Sequence, residues 1–202
     1  GTEEHYRLWS WYRQDGAVLA LARTQQNAAV VRPAAPPTPG PTTVVRTFAY
    51  DSVGRRWTSA DPDTDSREAA RTSANRSWRY LFNRVGDLAA VRDPRGCGQN
   101  FFYDLGGRLV GEQYVGCTEA ASSADERPVA DLPAGMLSLT ETTGTIQVDV
   151  RYHYDTYADL GWSDTERPLD ADHLAEGMPT GVEDRGQCST ISYDRRGNAV
   201  WS

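Results

Sequence analysis

Tyr103-Asp104-Leu105-Gly106-Gly107-Arg108-Leu109-Val110 reads as an aromatic residue, a tight turn and the start of an apolar strand. Its frame, an aromatic residue, any three residues and a glycine, recurs at Tyr12 to Gly16, Tyr50 to Gly54, Phe82 to Gly86 and Tyr193 to Gly197, with a degenerate copy from Tyr154 to Ala158. An internal repeat indicates one supersecondary unit copied along the chain, with neighbours stacking to bury faces that one copy leaves open. Asp51, Asp104, Asp155 and Asp194 follow the tyrosines, and Asn83 follows Phe82. Such side chains accept a hydrogen bond from the backbone two residues on, and the glycine supplies positive φ, so the segment reverses the chain. Phe48, Tyr80, Phe101, Tyr152 and Ile191 stand two residues ahead of the aromatics, the period of a strand with one large-residue face. Each copy is therefore a β-hairpin, and the fold class is all-β.

Tyr103 to Val110 and Tyr50-Asp51-Ser52-Val53-Gly54-Arg55-Arg56 resemble the YD repeats of the RHS family. The closest stretch, Trp78 to Gly116, holds two consecutive copies, with Phe82 and Tyr103 21 residues apart. The resemblance is weaker at the first copy, which has Arg13 where Asp is expected, and at the sixth, which has Ala158 in place of Gly. It implies stacked hairpins forming part of a large spiralling sheet, the shell or β-cocoon that the family shares with the toxin-complex cocoon proteins. It further implies a secreted or cell-surface bacterial protein whose shell encloses or displays an effector. The role implied is structural and non-catalytic, without cofactor. The family's autoprotease motif and toxin domain are not found among these residues, so neither activity is carried over. An ordinary β-meander with tyrosine-rich strands remains the alternative.

Wider spacings elsewhere leave room for irregular insertions at about residues 26–44, 61–77, 118–135 and 161–186. Arg32 to Pro41 is proline-rich and is expected to run as an extended connector. Ser66 onward suggests a short helix. From Met136 to Tyr154, Leu137 and Leu139 are expected to face Ile146, Val148 and Val150 across Thr142 to Thr145, as one more hairpin. The chain opens at Gly1 without Met and is expected to be a segment of a longer protein.

The net charge is -7, and all 21 basic residues are Arg, scattered through an acidic chain. A nucleic-acid binder needs a concentrated basic surface, so that partner class is not expected. No apolar run approaches the roughly 20 residues of a membrane-spanning helix. Cys97 and Cys117 flank the two strands around Asp104 to Gly107, which places them at the open end of one hairpin, in reach of a disulfide. Two free thiols or a metal pair remain alternatives. A disulfide favours an oxidising compartment. Cys188 is expected to lack a partner within the chain.

Asp61, Asp63 and Asp65 open like a calcium loop, but Ser66 and Thr72 stand where the loop needs Gly and Glu, so no metal site is expected. His5, His153 and His173 have no metal-ligand spacing, and His173 with Asp170 and Asp172 lacks a nucleophile, so no enzyme site is expected. Trp9, Trp11, Trp57, Trp78 and Trp201 suit either a glycan-stacking platform or aromatic packing between hairpins, and packing is the favoured reading. The expected partners are other repeat-containing segments or chains and an enclosed effector. A teneurin-like adhesion or filament scaffold and a carbohydrate-binding module are the rival functions.

Overall fold

The computed structural model describes residues 6–25, 33–37, 39, 42–62, 77–117, 137–140, 145–160 and 174–201. These are all-β, in a large antiparallel sheet with almost no helix. Hairpins are formed by β1 (Tyr6–Tyr12) with β2 (Val18–Gln25), β3 (Thr43–Tyr50) with β4 (Arg56–Ala60), β5 (Trp78–Phe82) with β6 (Leu88–Arg92), and β7 (Gly98–Tyr103) with β8 (Leu109–Val115). Next come β9 (Leu137–Ser138), β10 (Ile146–Gln147), β11 (Val150–Tyr154), a 3-10 turn (Ala158–Leu160), β12 (Pro179–Asp184), β13 (Cys188–Tyr193) and β14 (Ala199–Trp201).

Two compact units divide the chain. One comprises Gly1–Leu81, Ala90–Gly98 and Gly116–Glu126; the other Phe82–Ala89, Gln99–Val115 and Arg127–Ser202. In the first, the order β1-β2-β3-β4-β5 follows the chain. Its core is built on size complementarity between cross-strand partners. Trp11 lies opposite Ala20, and Ala22 opposite Val45, so two small residues make room for the indole. All four are buried, and the indole contributes on the order of 1.5 to 3 kcal/mol. The Trp11 Nε1 donates to the Pro33 carbonyl at 3.4 Å, which ties part of the proline-rich connector to the core.

In the second unit the order β7-β8-β11-β12-β13-β14 again follows the chain. Phe102, Leu137 and Val148 form a core with Val110, Leu139 and Ile146 against it. The expected hairpin from Met136 to Tyr154 is not what forms: β9 and β10 pair in parallel, Ile146 with Leu137, and β11 joins β8 instead. The apolar residues do meet, but as a cap over the sheet. Gly111 permits it, because a Cβ there would come within 2.8 Å of Leu137 Cδ1. A second correction concerns the stretch 161–186, whose residues Pro179–Asp184 are strand β12. Gly181 lies opposite His153, and a Cβ there would meet Leu160 Cδ1 at 2.7 Å, so the packing needs a glycine in this strand. The short helix from Ser66 and the insertion 118–135 lie outside the described residues.

Cys97 and Cys117 are at disulfide distance, with Cα atoms 4.0 Å apart, Cys97 just before β7 and Cys117 two residues after β8. Cys188 is exposed and free. Replacing Cys97 and Cys117 together by Ser should cost about 3 kcal/mol of unfolding free energy in urea, the loop-closure value for 20 residues. An unchanged midpoint would show that the bond constrains nothing.

Candidate functional site

Among the described residues, the recurrent polar feature is the junction at which one hairpin's turn meets the aromatic residue of the next. The turn comes first. At Asp104 the amide donates to the Arg108 carbonyl and Gly107 donates back to the Asp104 carbonyl, both at 3.0 Å. The side chain closes the loop from inside, with Oδ1 accepting from the Gly106 amide at 2.8 Å and the Arg108 amide at 2.9 Å. Asp51, Asn83 and Asp194 repeat the pattern, with Gly54, Gly86 and Gly197 at positive φ. Gly107 has φ +78, a conformation that costs a residue with a Cβ roughly 1 to 2 kcal/mol.

Two turns depart from the formula and keep its physics. Arg13 has no carboxylate, and Asp15 supplies one from within the turn, accepting from the Ala17 amide at 3.1 Å and pairing with Arg13 at 3.1 Å; Gly16 keeps φ +85. Asp93, which follows no aromatic, makes the same turn with Gly96 between hairpins, its Oδ1 accepting from the Arg95 and Cys97 amides. Its Asp-Pro-Arg-Gly sequence fits the pattern once the aromatic requirement is dropped.

The sixth copy is a correction. Ala158 is not its turn glycine. Asp155 adopts φ +69, its amide donates to the Met178 carbonyl, and its Oδ1 accepts from the Gly177 amide at 2.7 Å. Gly177, at φ +79, stands two residues before β12, as Gly107 stands before β8. The copy is a hairpin opened by an insertion between Asp155 and Gly177.

The tyrosines link one hairpin to the next. Each hydroxyl donates to the carbonyl two residues beyond the preceding turn glycine: Tyr50 to Val18 at 2.9 Å, Tyr103 to Leu88 at 3.0 Å, Tyr154 to Leu109 at 2.9 Å and Tyr193 to Pro179 at 2.7 Å. Within three hairpins the register slips just before the aromatic, at Trp11/Tyr12, Ala49/Tyr50 and His153/Tyr154. A slip of one residue re-aims the following side chain. Tyr12, in the first described strand, is 56% exposed and has no such acceptor among the described residues.

Arginine covers two of these rings. Arg13 lies over Tyr50 at 5.4 Å and Arg108 over Tyr154 at 4.7 Å. Arg108 also bonds Asp104 Oδ2 at 2.7 Å and Asp155 Oδ2 at 2.9 Å, joining two turns. Burial works to raise the Asp104 pKa, but the Arg108 amide and guanidinium outweigh it and hold the carboxyl below its ordinary range. Asp155 is lowered by the Gly177 amide and then by Arg108. The junction at Tyr103 differs. It has a cavity of about 280 Å³ lined by Asn83, Val85, Asp87, Asp104 and Leu105 among others.

The other candidate groups are dispersed. Asp61 pairs with Arg46, while Asp63, Asp65, His5, His173, Asp170 and Asp172 lie outside the described residues. His153 is buried and bonds Glu183 at 2.8 Å. Burial, and then a hydrogen bond to Glu112, push the Tyr152 hydroxyl well above its ordinary pKa. No cluster of three metal-binding side chains occurs among the described residues, and no described helix is long and apolar enough to cross a membrane. Trp11 is packed inside, whereas Trp57 is half exposed. The sequence matches no protein-family model and no curated protein.

Tyr154→Phe should lower unfolding free energy by about 1 kcal/mol, since it removes one net hydrogen bond and leaves the Leu109 carbonyl without its donor. Tyr12→Phe should change it by less than about 0.5 kcal/mol. Equal effects in urea melts would refute the linking role. Because the Asp104 and Asp155 values are depressed in the fold, their stabilisation is complete above the ordinary carboxylate pKa and is lost as pH falls through the lowered values. Stability should therefore decline below about pH 4, and Arg108→Gln should flatten that decline; an unaltered acid slope would contradict it.

Proposed function

We propose that this chain is a non-catalytic segment of an RHS-like YD-repeat shell, a scaffold in which successive hairpins extend one sheet around an effector or display it. The observation that carries the reading is the tyrosine bond between neighbouring hairpins, made at four junctions to the carbonyl two residues past a turn glycine. Such a device is open-ended, because every hairpin offers the next one the same acceptor. The Tyr103 to Val110 repeat signature, the disulfide-distance pair and the all-β architecture agree with a secreted or surface-exposed member of that family. The polar groups in the junctions fold turns and join strands, which is structural work. Partners on this reading are further repeat-bearing segments or chains and the effector itself.

A strand with no described neighbour on one side supports the same reading. In β1, Leu8 is 74% exposed and Tyr12 56%, and the described strand pairs only with β2. Strand edges of this kind take up further strands. Expressed alone, the chain should therefore self-associate or fold incompletely in analytical ultracentrifugation combined with thermal melting. A stable monomer with one cooperative transition would overturn the shell-segment reading and favour an independent binding module, for which the half-exposed Trp57 would be the first residue to test against glycans.

A further inference from the structure

The repeat provides its own comparison for the Tyr103 cavity. At the Tyr154 junction the residue after the turn glycine is Arg108, which lies over the ring and bonds two carboxylates. At the Tyr50 junction, Arg13 of the preceding turn covers the ring. The same positions of the turn before Tyr103 are Asp87, after Gly86, and Asn83, at the turn's first residue. The cation is replaced by an anion, and a cavity of about 280 Å³ stands at this place. Two of the other three junctions, at Tyr50 and Tyr154, thus place a guanidinium over the ring where Tyr103 has a cavity; at Tyr193 the corresponding residues are Asp155 and Met178.

We propose that the cleft over Tyr103 binds the guanidinium of an arginine side chain presented by a partner polypeptide. The charge in the cleft is that of Asp87. Its Oδ2 accepts from Asn83 Nδ2 at 2.9 Å, and among the described residues no cation pairs with it. Asp104, the other carboxylate in the lining, is already satisfied by Arg108 and by two backbone amides. Asn83 is buried, and its Oδ1 is taken by the Val85, Gly86 and Asp87 amides, so its amide group orients Asp87.

The walls favour arginine over other cations. Val85 is 77% exposed and Leu105 82%, at the tips of adjacent turns, and both line the cavity. They offer an apolar surface to an aliphatic stem, while Tyr103 and Asp87 offer an aromatic ring and a carboxylate to the head. A planar guanidinium engages a ring face and a carboxylate together, which a compact ammonium does less well. Anions are excluded by Asp87. A divalent metal finds one unneutralised carboxylate, fewer ligands than hard cations require. Burial, and then the charges of Asp87 and Glu112, raise the Tyr103 hydroxyl pKa, in keeping with a negative potential at the site. The inference stands on this junction alone and holds whether or not the chain belongs to a shell.

The test uses the full chain, with acetyl-Gly-Arg-Gly-amide as probe and the citrulline peptide as its neutral isostere. NMR titration should show saturable shifts of the Tyr103, Val85 and Leu105 resonances, with a dissociation constant on the order of a millimolar. The citrulline peptide and the Asp87→Asn variant should each weaken binding at least fivefold. Asp87→Arg places a cation in the cleft and should abolish peptide binding. The proposal fails if the arginine peptide produces no saturable shift, if citrulline or Asp87→Asn binds equally well, or if Asp87→Arg binds the peptide as the unaltered chain does.

Discussion

The hydrogen bond from a tyrosine hydroxyl to a carbonyl of the preceding hairpin is the constraint on which the described structure turns. A two-stranded hairpin is marginal in water, and stability comes from adding strands. Here the added strand is held by its ladder and by a side chain reaching from its turn end to the neighbour's turn end. Tyr50, Tyr103, Tyr154 and Tyr193 all reach the same backbone position, so the length and rotamer of tyrosine fix the offset between hairpins. Phe82 carries no hydroxyl and cannot make this bond. The acceptor belongs to the first residue of the strand that leaves the turn, so the turn sets its position, and the Asp or Asn that accepts two or three amides from inside the loop fixes the turn.

Among the described residues the apolar clusters are small and local, and polar groups carry much of the arrangement. Trp11, Ala20, Ala22 and Val45 make one cluster, Phe102, Leu137 and Val148 another, and Tyr157, Leu160 and Ala175 a third. Each cluster lies where a loop, a cap or a neighbouring strand covers a patch of sheet. Within each unit, guanidinium over ring, carboxylate to amide and hydroxyl to carbonyl add polar links to these clusters. The Cys97 and Cys117 pair belongs to the same logic: it holds the end of the β7 and β8 hairpin that lies farthest from the Asp104 turn.

Fold class, hairpins and the placing of Cys97 opposite Cys117 were legible in the sequence because they follow from short-range chemistry: period-two aromatics, an Asx residue and a glycine at fixed spacing. What was not legible depends on contacts distant in sequence. Gly177 completes the turn of Asp155 from 22 residues away, and no local pattern distinguishes it from other loop glycines. Strand β12 was hidden in a stretch read as an irregular insertion because it lacks the repeat frame, and its Gly181 is required beneath Leu160. The parallel pairing of β9 with β10 was equally hidden, since alternation in Leu137, Leu139, Ile146 and Val148 identifies an apolar face without fixing strand direction. The tyrosine acceptors follow from the repeat only once the hairpins are stacked.

A repeat built in this way separates what must be kept from what is free to vary. The aromatic, the Asx residue and the glycine set backbone geometry, and where one is lost a neighbour restores its function, as Asp15 does for Arg13 and Gly177 for Ala158. The residue after the glycine has a different standing. It is Arg108 in one turn, Asp87 in another and Asn198 in a third, and the turn closes in each case because it uses that residue's backbone amide. Its side chain adds a second bond to the residue that opens the turn, Arg108 to Asp104, Asp87 to Asn83 and Asn198 to Asp194, and its chemical type is left open by the backbone. A cation, an anion and an amide all serve at this position, so a structural repeat acquires chemical differences between otherwise equivalent junctions while the backbone of the turn is the same.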